Sequence, residues 1–457
     1  MVFSSPVFVF AFLPCLLLVY FCVGKRLRNG VLLLFSLFFY AWGEPKNILI
    51  MLLSIGVNYG LGLGISRTEK KKWLLILALV FDLGMLFLFK YLNFAVEIWN
   101  GLGILPVRTA QIALPIGISF YTFQIMSYVI DVYRGKCEAQ RNLLHLSLYV
   151  SLFPQLIAGP IVRYVDVAAQ IEDRETRRED FVQGALRFAR GFSKKILIAD
   201  QLSVLADTVF AGNCPSLPLH WMGMIAYSLQ IYYDFSGYSD MAIGLGKMFG
   251  FDFLENFRFP YAAASVQDFW RRWHISLSGW FRDYLYIPLG GNRKGQGRTY
   301  LHLLIVFFLT GLWHGASFNF IVWGLYYAFF LIMERAFLGA KLKKAPGWLR
   351  HLYTLLVVMI GWVFFRAENL PAAVSFLRGL VIPAGKDWAY FQFVMDREFW
   401  VCLLAGAVLS VPWRGEGKAL QSRSRTVAGD FLTICLFVVA ICYMMGSGFS
   451  PFLYFRF

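Results

Sequence analysis

The chain has 457 residues, of which 58% are hydrophobic, 18% aromatic and 15% charged. Soluble domains carry about 25% charged residues, and a single soluble core stops growing near roughly 250–300 residues. No water-soluble surface can be built from this material, and intrinsic disorder, collagen, coiled coil and a small disulfide scaffold are excluded with it. Lys plus Arg is 43 and Asp plus Glu 27, a formal charge of +16. In a membrane chain that excess is first the Lys and Arg of cytoplasmic loops. A share is left for anionic ligands, and no nucleic-acid partner is expected. The seven cysteines show no CxxC spacing, so neither a zinc site nor a disulfide framework is expected, and no metal site is assigned.

A spanning helix needs ~20 largely apolar residues. Runs free of Asp, Glu, Lys and Arg cover 1–24, 29–43, 47–66, 109–130, 142–162, 208–233, 299–333, 351–365, 399–413 and 431–455. Residues 73–96 add a span interrupted by Asp82 and Lys90, and 196–213 is a weaker candidate. The run 299–333 is long enough for two helices turning near Gly315–Asn319. The sequence therefore predicts an all-α, polytopic integral membrane protein. About 10–13 membrane helices are expected, re-entrant segments included, in one domain over 1–457. The first run lacks a basic start and a small-residue cleavage site, so a cleavable signal peptide is not expected.

Basic clusters follow the first, third and fifth spans, at Lys25–Arg28, Arg67–Lys72 and Arg134–Arg141. This alternation fits an outside N-terminus. Segment 142–162 then separates two basic regions. Re-entrance resolves the conflict, because Pro154, Gly159 and Pro160 break a regular helix. Broken backbone survives at membrane depth only when buried in protein or lining a cavity, which makes 154–163 a candidate tunnel wall. Residues 163–195 read as a cytoplasmic amphipathic helix pair, and 414–426 as a second basic loop.

The chemistry concentrates in 232–325. YYDFSGYSDMAIGLGKMFGF (232–251) places Asp234 and Asp240 inside or at the end of a membrane helix. Such carboxylates are either buried structural pairs with Lys or Arg, or polar lining near a reaction centre. FRFPYAAASVQDFWRRWHISLSGWFRDYLYIPLGGNRKG (257–295) follows. On one helix over 266–286, Trp270, Trp273, His274, Leu277, Phe281 and Leu285 share a stripe. Arg271, Arg272 and Arg282 flank it, the pattern of a helix lying in the membrane interface. His274 on that stripe is either a hydrogen-bonded core residue or a catalyst. LTGLWHGASFNFIVWG (309–324) puts His314 in the middle of an uncharged run, with Asn319 a little over one turn further on. A buried neutral imidazole is suited to act as general base toward a hydroxyl. The alternative is an interhelical hydrogen bond.

The strings YYDFSGYSDMAIGLG, DFWRRWHISLSGWFRDYLYIPLGGNR and GLWHGASFNFIVWG resemble those of the membrane-bound O-acyltransferase family. The most similar branch is the bacterial polysaccharide O-acetyltransferases of the alginate-acetylating type. LPIGISFYTFQIMSYVIDVYRG (114–135), FPQLIAGPIVR (153–163), GWVFFRAENLPAA (361–373) and FLYFRF (452–457) agree, so the resemblance covers nearly the whole chain. It implies a multi-helix fold crossed by a tunnel, an intramembrane histidine matching His314, and a cytosolic-side Asn or His matching His274. The implied donor is an acyl thioester, most simply acetyl-CoA, with no tightly bound cofactor. Arg271, Arg272, Arg282, Arg293, Lys294 and Arg298 are cations for its phosphates. Asp234, Asp240, Asn319, Pro154 and Gly159 are expected as polar or tunnel lining. The hydroxyl of Tyr454 is expected either to relay the acyl group or to sit in an aromatic belt. The expected partners are the bilayer, a polysaccharide acceptor and an extracytoplasmic acetyltransferase. The expected location is the bacterial inner membrane, crossed many times. D-alanyl transfer to teichoic acid and secondary transport through intramembrane Asp and His are the alternatives. Without GxSxG, direct transfer is favoured over an acyl-Ser intermediate.

Overall fold

The computed structural model describes residues 1–103, 106–110, 112–212, 216–382, 392, 395–412, 427–446 and 452–453. Every regular element among them is a helix. In lipid the backbone of a segment must satisfy its own hydrogen bonds, which a helix does alone. Five helical stretches are long and apolar enough to cross a bilayer: Ile48–Arg67, Lys71–Gly101, Phe318–Lys344, Gly347–Arg366 and Val427–Gly446. Phe8–Cys22 is a shorter apolar helix. The protein is thus an all-α, polytopic membrane protein. The basic loop 414–426 and Tyr454 lie outside the described residues.

The chain forms two compact units, a division that its uniformly apolar composition does not mark. The first comprises residues 1–188 with 239–254. It holds α1 (Leu13–Cys22), α2 (Arg28–Gly43), α3 (Ile48–Arg67), α4 (Lys71–Leu86), α5 (Leu92–Gly101), α6 (Ile118–Tyr133), α7 (Leu143–Ser151), α8 (Phe153–Leu156) and α9 (Tyr164–Glu172). The α6 helix is buried from Ile118 to Val132, polar residues included, so it is the core of this unit rather than a lipid-facing span. Asn58 and Asp82 join α3 to α4 through a 2.8 Å hydrogen bond. Between α8 and α9 the chain is non-helical and buried, the break expected of Pro154 and Gly159. A Cβ on Gly159 would lie 2.7 Å from the Pro154 carbonyl, so the fold requires glycine there. The expected helix pair in 163–195 is α9 followed by α10 (Arg178–Lys194).

The second unit comprises residues 189–238 with 255–457. It contains α11 (Asp200–Phe210), most of the 32-residue α12 (Leu217–Met248), α13 (Val266–Arg272), α14 (Ile275–Phe281), α15 (Ile287–Leu289), α16 (Gln296–His314), α17 (Phe318–Met333), α18 (Gly339–Lys344), α19 (Gly347–Arg366), α20 (Leu370–Gly379), α21 (Arg397–Leu409) and α22 (Val427–Gly446). The predicted turn within 299–333 is present, with residues 315–317 joining α16 to α17. The two helices run antiparallel and nearly in backbone contact. A Cβ on Gly311 would strike the Phe320 carbonyl, and one on Gly324 the Phe307 carbonyl. Small residues at such crossings let helices approach without a hydrophobic driving force. This hairpin and α19 enclose an aromatic core in which Trp323 stacks on Trp362 at 6.3 Å.

Candidate active site

The single helix expected over 266–286 does not exist. Ser265 caps α13, its hydroxyl accepting from the Asp268 amide at 3.0 Å. The Glu334 carboxylate also takes the Val266 and Gln267 amides, at 2.7 and 3.0 Å. The helix then stops at Arg272, and His274 adopts the left-handed conformation (φ 45°, ψ 55°) before α14 begins. A non-glycine residue there costs of order 1–3 kcal/mol and persists only where its surroundings over-determine it. Here segment 256–258 does so. The Arg258 amide donates to the Arg272 carbonyl and the Ile275 amide to the Asn256 carbonyl, each at 3.0 Å. The Asn256 side-chain oxygen accepts from the Ser276 amide at 3.2 Å and from the Ser276 hydroxyl at 2.9 Å. His274 Nδ1 lies 3.1 Å from the same oxygen.

The stripe reading is therefore corrected. Trp273 is 2% exposed and packs 4.7 Å from Trp362, so it is core rather than a headgroup anchor. His274 is 1% exposed, edge-on to Phe235 at 4.7 Å. Burial pushes its imidazole down to about 3 from the usual 6.5, so the ring is neutral at physiological pH.

His314 is the last residue of α16 and is 4% exposed. Its ring meets Trp313 at 4.9 Å, Trp323 at 5.0 Å and Phe365 at 5.1 Å, all near perpendicular. Trp313 in turn lies 6.1 Å from His274. One indole thus packs against both imidazoles, residues 40 positions apart that sequence spacing alone does not unite. Two buried indole N–H groups near this cluster, Trp270 Nε1 and Trp323 Nε1, make no hydrogen bond among the described residues, and neither does the Asn256 amide nitrogen. An unsatisfied buried donor costs about 1–3 kcal/mol. A carbonyl or water taken into the cluster would recover that cost. Of the remaining histidines, His220, His302 and His351 each place Nδ1 on a backbone carbonyl, the arrangement of core residues.

The carboxylates behave differently. Asp234 pairs with Lys195 at 2.6 Å, and Lys195 also reaches Asp200 at 2.7 Å. The other Asp234 oxygen accepts from the Leu453 amide at 2.8 Å. Asp240 pairs with Arg187 at 2.9 Å. Both acids are thus engaged in ion pairs, Asp234 buried and Asp240 partly buried. Asn319 likewise is tied down, its amide donating to the Ala367 carbonyl at 2.6 Å beyond the end of α19. Arg271, Arg293, Lys294 and Arg298 are exposed. Arg272 binds Asp268 at 3.0 Å, and Arg282 binds Asp283 at 2.7 Å. Among the described residues no cluster of three His, Cys, Asp or Glu could hold a metal ion. Asn256, Lys195 and Trp323 are the site residues that sequence reading missed. Each is recognised only through a partner far along the chain.

Residues 138–369 match the model of the membrane-bound O-acyltransferase family. Across the full length of both chains, the sequence is 42% identical to a Pseudomonas putida protein described as "Probable alginate O-acetylase AlgI". It is 38% identical to the peptidoglycan O-acetyltransferase of Helicobacter pylori, over 83% of this chain and 80% of that one. The teichoic acid D-alanyltransferase of Bacillus subtilis is 28% identical over 54% of this chain and 66% of that one.

Proposed function

Because the chain belongs to the membrane-bound O-acyltransferase family and is an O-acyltransferase, we propose that it moves an acetyl group from a cytosolic acyl thioester to a hydroxyl of an extracytoplasmic polysaccharide. Two acetylases of polysaccharides align over most or all of their lengths, whereas the D-alanyltransferase aligns over about half of this chain. The observation that carries the proposal is the pair of buried histidines that both pack against Trp313, beside indole donors without partners among the described residues.

His314 takes the proton of the acceptor hydroxyl as that oxygen attacks the thioester carbonyl. The carbon–sulfur bond breaks, and the proton passes to the departing thiolate. The negative charge that develops on the carbonyl oxygen is met by N–H donors of the Trp270 and Trp323 type, a contribution often about 3–4 kcal/mol. The neutral state of His274 makes it an unsuitable cation for that oxyanion. The aromatic shell keeps water from the thioester. The exposed cations Arg271, Arg293, Lys294 and Arg298 bind the donor's phosphates in this proposal. Inner-membrane placement and an extracytoplasmic acetyltransferase partner belong to the same proposal. The test is mass analysis of surface glycans from cells with and without the intact protein. Glycans heavier by acetyl groups only when the protein is present support the proposal. Identical masses overturn it, and a D-alanyl increment would favour the alternative.

A further inference from the structure

The Asn256 carboxamide has a fixed orientation. The Ser276 backbone N–H can only donate, so the Asn256 atom 3.2 Å from it is the carbonyl oxygen. That oxygen also receives the Ser276 hydroxyl. His274 Nδ1 stands 3.1 Å from the same oxygen, which cannot donate, and 3.4 Å from the Ser276 hydroxyl, whose single proton goes to Asn256 at the shorter 2.9 Å. Nδ1 must therefore carry the proton, and in the neutral ring the lone pair belongs to Nε2.

We infer that Asn256 is a positioning residue that locks His274 in the Nδ1–H tautomer, so that His274 meets the substrate as a hydrogen-bond acceptor through Nε2. The main chain of Asn256 holds the same turn, taking the Ile275 amide at 3.0 Å. One residue thus fixes the strained backbone of His274, the orientation of its ring and its tautomer. The consequence for the reaction rests on the proposed function: Nε2 accepts from an N–H of the acyl donor or from the acceptor hydroxyl, and does not itself stabilise an oxyanion. The division of labour follows. Indole N–H groups face the carbonyl oxygen, while His274 faces a donor group of the substrate.

The test is histidine nitrogen NMR on the full chain in lipid nanodiscs, with isotope-labelled histidine. There are six histidines, and the His274 signals are those lost in His274→Gln. The expected result is a protonated Nδ1 and an unprotonated Nε2 in the wild type. Asn256→Leu should shift the population toward the Nε2–H form, while Asn256→Asp, which keeps the acceptor, should not. A wild-type His274 protonated on Nε2 overturns the inference, whether or not Asn256→Leu folds. Acetyl transfer supplies the second arm. Asn256→Leu should lower it roughly tenfold or more, the effect of losing one buried hydrogen bond. In a His274→Gln background the same change should have little further effect, because residues acting as a unit are not additive. An equal loss in both backgrounds would make Asn256 structural only. Loss of transfer by none of these variants, with the tautomer as stated, would instead defeat the proposed function and leave the positioning role intact.

Discussion

Two buried polar regions of the second unit differ in how they are satisfied. Around Asp234 every charge has a counter-charge or a backbone donor: Lys195 bridges Asp234 and Asp200, and Leu453 and Phe452 close over the pair, the Phe452 ring lying 4.8 Å from the Lys195 ammonium. Around His274 and His314 the rings are packed among aromatic side chains, His274 is neutral, and nearby indole donors lack partners among the described residues. The first region is closed and holds the chain segment 452–453 in place. The second retains hydrogen-bonding capacity in a dry setting, which chemistry on a carbonyl requires. Residue type alone left both alternatives open for the carboxylates, because an acid at membrane depth either has a partner or lines a polar cavity.

The largest effect that separates the regions should come from Lys195→Met. It leaves the buried Asp234 carboxylate, and the partly buried Asp200, without their shared cation, a loss of about 3–5 kcal/mol. Accumulation of the chain in the membrane, measured by immunoblot, should collapse. Normal accumulation would show that the ion cluster is dispensable. Trp323→Phe acts on the second region instead. It keeps the ring against His314 and removes the indole N–H, so accumulation should hold while transfer falls by roughly 10²-fold, the effect of one oxyanion donor. Unchanged transfer would remove Trp323 from the reaction.

A smaller effect is set by pH. The native His274 ring resists protonation down to about 3, whereas the unfolded ring takes a proton near 6.5. Between those values the unfolded state binds more protons, so His274 contributes stability that is full above 6.5 and lost as the pH falls through the window. Thermal unfolding in nanodiscs should show a shallower acid-side decline for His274→Gln than for the wild type. The smallest effect belongs to the surface cations. Arg272→Ala breaks a partly exposed pair with Asp268 and should change stability by at most about 1 kcal/mol. Arg271→Ala should leave stability alone and weaken thioester binding more at low salt than at high salt.

What the sequence disclosed and what it hid divide along the range of the interactions. The turn at 315–317 and the broken segment after Pro154 were legible, because glycine, proline and an overlong apolar run act locally. The break at His274 was not. Its cause is Asn256, 18 residues upstream, and periodicity does not register an amide that captures a turn from a distance. A continuous stripe through Trp270, Trp273 and His274 was the natural extrapolation of 3.6-residue spacing. Asp240 was likewise ambiguous until Arg187, 53 residues earlier, came into contact. The resemblance to a family marked both histidines but not the residues that support them, since support is geometric.

The most direct measurement of the central claim is acetyl transfer by His314→Ala in nanodiscs, with labelled acetyl-CoA as donor and a polysaccharide acceptor, at matched amounts of folded protein. The account predicts a fall of at least roughly 10²-fold, the loss of a general base, with thioester binding retained. Transfer at the wild-type rate would contradict it.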